Sequence, residues 1–186
     1  GVVARFDPET YSDAVAFARI GEGSLGGKAR GLAFMNSMIL KHRLYDKHAN
    51  VRIMIPRSVV IATDYFDDFI RLNGLKYIIS QEFSDEEILS EFVSSTVPAR
   101  LQQELKAYIQ TVRTPLAVRS SSKLEDSHYQ PFAGIYSTYM IPYVDNGDQM
   151  LRLLLKAVKS VYASVYFATS RAYLCLLYTS DAADDL

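Results

Sequence analysis

The chain has 186 residues, of which 49% are hydrophobic, so it is long enough to bury a core and too apolar to be intrinsically disordered. Its 20 Lys and Arg side chains nearly balance 21 Asp and Glu, and the net charge of -1 excludes a bulk electrostatic attraction to nucleic acid or to an anionic membrane. A single cysteine, Cys175, excludes an internal disulfide and a cysteine-based metal site. The sequence has no apolar run of the roughly 18 residues that span a bilayer, and its first residues lack a signal-peptide pattern, so we expect a cytoplasmic protein with neither a membrane nor a nucleic-acid partner.

The first part of the sequence indicates two helices separated by a glycine-rich stretch. Asp7 can cap a helix with Pro8 in its first turn, and the apolar spacing predicts that this helix continues to Ala18. The glycine-rich stretch 21–31 ends it, and a second helix is predicted from about residue 28 to residue 44. The buried stripe of this second helix would consist of Leu32, Met35, Met38 and Ile39.

Two short extended runs and a third helix follow. The runs "VRIMIP" and "SVVIA", residues 51–56 and 58–62, are rich in β-branched side chains. Thr63 is predicted to cap the next helix, which Asn73 and Gly74 end.

The remaining helices carry clear local signals. Ser84 and Glu87 form a capping box ahead of one helix, and Pro98 opens another. A long amphipathic helix is predicted over residues 148–174. The helix that Pro98 opens would bury Leu101, Leu105, Tyr108 and Ile109.

Two strands complete the pattern. "PLAV", residues 115–118, is predicted to be a buried strand, and "GIYSTYMI", residues 134–141, a second strand. The mixture of helices and strands without an internal repeat indicates one α+β domain over residues 1–174. Residues 175–186 break the helical pattern with an apolar and then acidic run, and we interpret them as a non-native tail.

The glycine-rich stretch "GEGSLGGKARG" indicates a site for phosphate. Gly21, Gly23 and Gly26 satisfy G-x-G-x-x-G, but that dinucleotide fingerprint needs a strand leading into the loop, where the spacing predicts a helix. The other phosphate loop, G-x-x-x-x-G-K-[ST], fails because Glu22 and Ala29 stand where it needs Gly and a hydroxyl. What remains is general chemistry: glycines expose backbone N–H groups, and a helix N-terminus and a lysine add positive potential. A helix-to-helix connection with a solvated lysine remains the alternative.

A second candidate site follows the "PLAV" strand. Arg119 lies at the end of that strand and precedes three consecutive serines, so its planar guanidinium could bind phosphate oxygens with hydroxyl support. A surface salt bridge of Arg119 is the alternative. Downstream, Gly134 could form a flexible hairpin over a ligand or an ordinary bulged turn.

Together, "SLGGKARGLAF", "PLAVRSSSKLEDS" and "FAGIYSTYM" resemble the N-terminal nucleotide-binding domain of the phosphoenolpyruvate synthase and pyruvate phosphate dikinase family. The resemblance extends over nearly all of residues 20–174. It implies the first part of an ATP-grasp fold, with a mixed sheet and flanking helices. In that family ATP phosphorylates a histidine on a separate domain, and the phosphohistidine then phosphorylates pyruvate.

The resemblance also assigns site residues. It implies that Lys28 and Arg119 contact ATP phosphates and act in catalysis, whereas Ser137 departs from the acidic residue or amide that usually stands before the family's threonine. The complete set implied to bind the nucleotide is Gly26, Gly27, Lys28, Arg119, Ser120, Ser121, Gly134 and Thr138.

The same resemblance implies that other parts of the machinery lie downstream of this chain. The expected Mg²⁺ ligands, the phosphohistidine domain and the pyruvate-binding domain all follow in the family, so we expect a fragment that is inactive alone and works with those domains. His42, His48 and His128 match no phosphohistidine motif. Two alternatives stay open: a related dikinase with another acceptor, such as a glucan or an antibiotic, and a non-catalytic nucleotide-binding module.

Overall fold

The computed structural model describes residues 3–11, 15, 17–121, 138–168 and 170. The chain divides into two compact units. The described part of the first unit is residues 3–11, 15, 17–67 and 121, and that of the second is residues 68–120, 138–168 and 170.

The first unit is built around a parallel pair of strands joined through a helix. Strand β1 (Phe17–Ile20) leads into helix α1 (Gly27–Lys41), which is followed by strand β2 (Ser58–Ile61). The two strands pair in register from Phe17 with Ser58 to Ile20 with Ile61. Buried residues of the strand and the helix meet in one apolar cluster, because the helix packs on the strand pair. That cluster comprises Phe17, Ala29 and Ile55 with the half-buried Val3, Leu25, Leu32, Ala33, Ile39 and Val60.

The prediction of a helix from Asp7 to Ala18 was wrong, because Ala18 belongs to strand β1. A single turn does form at Asp7, whose carbonyl accepts the N–H of Tyr11 at 2.8 Å. Residues 17–20 are nevertheless a strand, in which Ala18 and Ile20 lose all exposure. Pairing with β2 and this burial outweigh the local helical spacing, which is a weak signal by comparison.

Helix α1 forms where it was predicted but ends at Lys41 rather than near residue 44. Its predicted buried stripe is only partly right: Leu32, Met38 and Ile39 are half-buried, whereas Met35 keeps 49% of its surface exposed. Ala29 is the one fully buried residue of the helix. Two short strands offer a narrow surface, so the helix covers it with less than its whole apolar face. The run "VRIMIP" is likewise not a strand, although Ile55 is buried.

The second unit is mainly helical. Helix α2 (Thr63–Leu72) enters it from the first unit and is followed by α3 (Tyr77–Ser80), α4 (Asp85–Ser94) and α5 (Ala99–Thr111). Strands β3 (Leu116–Val118) and β4 (Tyr139–Ile141) and helix α6 (Gly147–Ser164) complete it. Helix α6 packs against α4, α5 and both strands. It therefore organises the core of this unit.

Local signals located these helices well. Ser84 and Glu87 form both bonds of the capping box, and Pro98 is the N-cap of α5. Gly74 follows α2 with a left-handed φ of 63°. All four residues predicted to be buried in α5 are buried: Leu101, Leu105, Tyr108 and Ile109.

Strand β3 corrects the prediction of a buried strand at "PLAV". Leu116 and Val118 are half-buried and Ala117 is exposed, because β3 pairs with β4 and is covered by α6 on one face only. In the described residues the strands form a parallel pair, β1–β2, and a separate antiparallel pair, β3–β4. The α+β class is confirmed. No helix in the described part of the chain is both long and apolar enough to cross a membrane.

Candidate functional site

The glycine loop, residues 21–26, connects β1 directly to α1. Gly21 and Gly26 adopt φ values of 93° and 79°, a left-handed conformation that favours glycine. A Cβ atom on Gly26 would lie 2.4 Å from the carbonyl oxygen of Ser121, so close approach requires glycine there as well. The sequence indicated that no strand precedes the loop, which argued against a strand–loop–helix phosphate motif. Strand β1 does precede the loop, so that prediction was wrong.

Ser121 binds the start of α1. Its hydroxyl accepts the N–H of Ala29 at 3.0 Å and donates to the carbonyl of Leu25 at 2.6 Å. Its carbonyl accepts the N–H of Lys28 at 3.3 Å. The structure thus brings four predicted site residues together in the first unit: Gly26, Gly27, Lys28 and Ser121.

Thr63 and Asp64, the first two residues of α2, bind the other end of the glycine loop. The Asp64 carboxylate accepts the N–H groups of Glu22 and Gly23 at 2.9 and 3.1 Å. The Thr63 hydroxyl accepts the N–H of Ser24 at 2.9 Å, and the N–H of Thr63 donates to the carbonyl of Ser24 at 2.9 Å. We call this pair the Thr63–Asp64 clamp. The prediction that Thr63 caps the helix was wrong. Thr63 is the first residue inside α2, and its hydroxyl accepts a hydrogen bond from the loop.

The charge of Asp64 is set by these bonds. Burial favours the neutral acid, but the N–H groups of Glu22, Gly23, Tyr65 and Asp64 itself outweigh burial, so the pKa of Asp64 lies below its usual value of 3.8. The clamp therefore carries an ionised carboxylate at neutral pH.

Few N–H groups of the loop remain open. Those of Glu22, Gly23 and Ser24 donate to the clamp, and those of Lys28 and Ala29 donate to Ser121. The N–H of Gly26 donates to the Ser24 hydroxyl at 3.4 Å. Between residues 22 and 29, only the N–H groups of Leu25 and Gly27 donate to no described residue. The expected exposure of loop N–H groups is thus limited to two positions in this part of the chain.

Lys28 is the second residue of α1, and its Nζ atom is buried. A groove of about 650 Å³ lies beside the glycine loop and α1, and Lys28 is not among its lining residues. Arg19 is among them and fixes the start of the loop, since it donates to the carbonyl of Gly21 and to Glu22 Oε2, the latter at 2.8 Å. Other polar and aromatic side chains in the lining are Ser24, Arg30, Phe34 and Ser37.

Arg119 and Thr138 lie in the second unit. Val118 pairs with Tyr139 in the β3–β4 ladder, so Arg119, which follows Val118, and Thr138, which precedes Tyr139, stand at the same end of the two strands. Both residues are exposed, and Ser120 is half-buried. The predicted site residue Gly134 lies outside the described residues.

The histidines offer no additional site among the described residues. His42 and His48 are exposed, and His128 falls outside the described part. Across residues 3–11, 17–121 and 138–168, no group of three or more His, Cys, Asp and Glu side chains is arranged to hold a metal ion.

No match was found among curated proteins or among solved structures. A family model described as the pyruvate phosphate dikinase AMP/ATP-binding domain matches residues 22–181, which include residues 22–26 of the glycine loop, Lys28 and Arg119. This range is most of the chain. The resemblance seen in the sequence is thereby confirmed, and the chain belongs to the pyruvate phosphate dikinase AMP/ATP-binding domain family.

Proposed function

We propose that this chain is the ATP-binding part of a phosphoenolpyruvate synthase-like phosphotransferase with an ATP-grasp fold. In the longer protein, ATP would phosphorylate a histidine on a separate domain, and that phosphohistidine would phosphorylate pyruvate. Membership of the AMP/ATP-binding family supports nucleotide binding. The proposal extends this to the acceptor, to Mg²⁺ and to a cytoplasmic location.

The observation that carries the proposal is the arrangement at the start of α1. Strand β1 runs into the glycine loop, and Lys28 stands in the first turn of the helix that follows. The N-terminus of a helix attracts anions because its N–H groups point outward and its dipole is positive at that end. A lysine in the first turn adds a full charge, and the N–H of Gly27 donates to no described residue. These features suit a phosphate group of ATP.

We assign the remaining predicted residues to the same nucleotide. Arg119 is an exposed residue directly after β3, and the planar guanidinium of an arginine can bind two phosphate oxygens at once. Thr138 stands beside it at the same end of the strand pair. Gly26, Ser120, Ser121 and Gly134 complete the proposed set. Mg²⁺ would neutralise charge on the transferring phosphoryl group, and we expect its ligands in other parts of the longer protein.

The proposal is tested by removing each charge in the full-length protein that contains this domain. A hydrogen bond to a charged group contributes about 1.5–3 kcal/mol, so Lys28→Ala and Arg119→Ala should each weaken ATP binding roughly 10- to 150-fold. Arg119→Lys should recover only part of the loss, because a point charge cannot reproduce a bidentate fork. Equilibrium ATP binding and ATP-dependent phosphorylation of the histidine are the measurements.

Lys41→Ala is the matched control, since Lys41 is the exposed last residue of the same helix. It should bind ATP as the unmodified protein does. Exchange between pyruvate and phosphoenolpyruvate should persist in all variants, because that step takes place at another domain. Normal ATP-dependent phosphorylation in both Lys28→Ala and Arg119→Ala would show that the nucleotide binds elsewhere.

A further inference from the structure

We propose that Thr63 and Asp64 are positioning residues that fix the first half of the glycine loop and leave the start of α1, at Gly27 and Lys28, to the phosphate. This inference rests on the proposed function, because it concerns how that site is held. Its first support is the bonding pattern: three consecutive N–H groups, at residues 22, 23 and 24, donate to two consecutive side chains. The return bond from the N–H of Thr63 to the carbonyl of Ser24 closes the arrangement.

The position of the clamp explains why it can act on the loop. The last residues of the paired strands, Ile20 and Ile61, stand opposite each other, and the N–H of Ala62 donates to the carbonyl of Ile20 at 2.8 Å. The loop and α2 therefore leave the same end of the parallel pair side by side. The clamp continues the pairing beyond the strands, so the loop cannot shift without breaking bonds to α2.

The glycines at the start of the loop fit this role. A Cβ atom on Gly21 would lie 2.6 Å from Asp64 Oδ1, and one on Gly23 would lie 2.6 Å from the N atom of Asp64 and 2.7 Å from the Thr63 hydroxyl. All three distances are under 3.0 Å, so a Cβ atom at either position would force the clamp to shift. Gly21 and Gly23 are thus needed for the approach of the clamp rather than for contact with a phosphate.

The negative charge of Asp64 also supports this role of the clamp. The carboxylate of Asp64 is ionised and bound to the beginning of the loop, where it disfavours a second anion. The N–H groups that it accepts are also unavailable to a ligand. A phosphate is therefore directed toward the lysine end of the loop, which the clamp holds in one conformation before the nucleotide arrives.

The clamp is tested first without nucleotide, by amide hydrogen exchange in the full-length protein. Losing one hydrogen bond of about 1.4 kcal/mol corresponds to roughly tenfold faster exchange. Thr63→Val, which keeps the side-chain shape, should accelerate exchange at Ser24, and Asp64→Ala should do so at Glu22 and Gly23. Thr63→Ser keeps the hydroxyl and should leave Ser24 protected.

Asp67→Ala is the control for Asp64→Ala, because Asp67 is an exposed aspartate one turn later in the same helix. It should leave exchange at residues 22–24 unchanged. If Thr63→Val and Asp64→Ala also leave it unchanged, the clamp does not hold the loop and the inference is overturned.

The second measurement is ATP affinity, at a temperature where circular dichroism shows every variant folded. Thr63→Val and Asp64→Ala should weaken binding at least tenfold, while Thr63→Ser and Asp67→Ala should not. In a double-mutant cycle, Asp64→Ala combined with Lys28→Ala should cost less than the sum of the two single losses, because the clamp acts through the lysine end of the loop. A merely structural role would give additive losses.

The remaining outcomes separate the inference from the proposed function. If Lys28→Ala weakens ATP binding while Thr63→Val and Asp64→Ala do not, the proposed function stands and the positioning role is overturned. If Lys28→Ala and Arg119→Ala both leave ATP binding intact as well, the proposed function fails and the positioning role fails with it. Additive losses in the cycle overturn the positioning role alone.

Discussion

At the scale of single residues, the three glycines of the G-x-G-x-x-G match are needed for contacts within the protein. Gly21 and Gly23 admit the Thr63–Asp64 clamp, and Gly26 admits the carbonyl of Ser121. The sequence predicted that a glycine-rich loop precedes α1, and the structure has such a loop; the role of Lys28 stays a prediction. The sequence could not predict the partners, because Thr63 and Asp64 follow some forty residues later, at separations of 39 to 42, and a Thr-Asp pair at a helix start is typical of a local cap.

Alanine substitutions at two glycines outside the loop should change the free energy of unfolding in opposite directions. Gly74 ends α2 with φ of 63°, and Gly74→Ala should lower the free energy of unfolding by about 1–2 kcal/mol, because L-residues disfavour this conformation. Gly31 lies inside α1, where an added Cβ atom would meet open space, so Gly31→Ala should raise the free energy of unfolding by about 0.5–1 kcal/mol. Urea unfolding midpoints measure both. Shifts of the same sign would contradict the explanation from backbone conformation.

At the scale of elements, the sequence predicted best where the signal is local. Helices α4 and α5 begin at the predicted capping box and proline because each of these start signals lies within a few residues of the helix it begins. Strand β1 was missed because its partner, β2, begins some forty residues later and no local pattern encodes that pairing. A helical spacing between Asp7 and Ala18 was the stronger local signal, and tertiary pairing overrode it.

One lysine of helix α6 caps the C-terminal end of α4. Lys159 donates from Nζ to the carbonyls of Val93 and Ser95 at 2.6 and 3.0 Å, at the C-terminal end of α4. Lys159→Met keeps the aliphatic length but removes the ammonium, so it should lower the free energy of unfolding by about 1.5–3 kcal/mol. Lys156→Met, at an exposed position one turn earlier, should change it by less than about 0.5 kcal/mol. Equal effects of the two substitutions would refute the role of Lys159.

The contribution of Lys159 also depends on pH. Burial lowers its pKa below the usual 10.5, so between the two pKa values the unfolded chain binds more protons at this position than the folded protein. This lysine therefore increases the free energy of unfolding as the pH rises through that range. The destabilisation by Lys159→Met should grow toward pH 10.5, and urea unfolding at several alkaline pH values measures it. A destabilisation that shrinks over the same range would contradict this sign.

At the scale of the whole molecule, composition and the alternation of signals were sufficient for the α+β class. The structure places predicted site residues in two groups: Gly26, Lys28 and Ser121 meet in the first unit, and Arg119 stands beside Thr138 in the second. The sequence did not predict that most N–H groups of the glycine loop donate to other residues of the protein. These hydrogen bonds depend on contacts between segments far apart in the chain, including Ser121 with Ala29, which are 92 residues apart.

The core of the second unit depends on a cluster of aromatic rings. Phe92 of α4 has no exposed surface, and its ring centroid lies 5.6 Å from that of Phe69 and 5.7 Å from that of Tyr166. Phe92→Ala should cost about 3–5 kcal/mol, a large share of the roughly 5–15 kcal/mol that typically stabilises a domain. Phe92→Leu should cost less, because it leaves a smaller cavity.

Ile79→Ala is the control in the same unit, since Ile79 keeps 63% of its surface exposed and truncation there leaves no cavity. Urea unfolding followed by circular dichroism should rank the three proteins Ile79→Ala, Phe92→Leu and Phe92→Ala in order of increasing loss. The reason is that the cost of truncation follows the buried volume removed rather than the hydrophobicity of the residue. If Ile79→Ala destabilised the protein as much as Phe92→Ala, the aromatic cluster would not be what stabilises this unit.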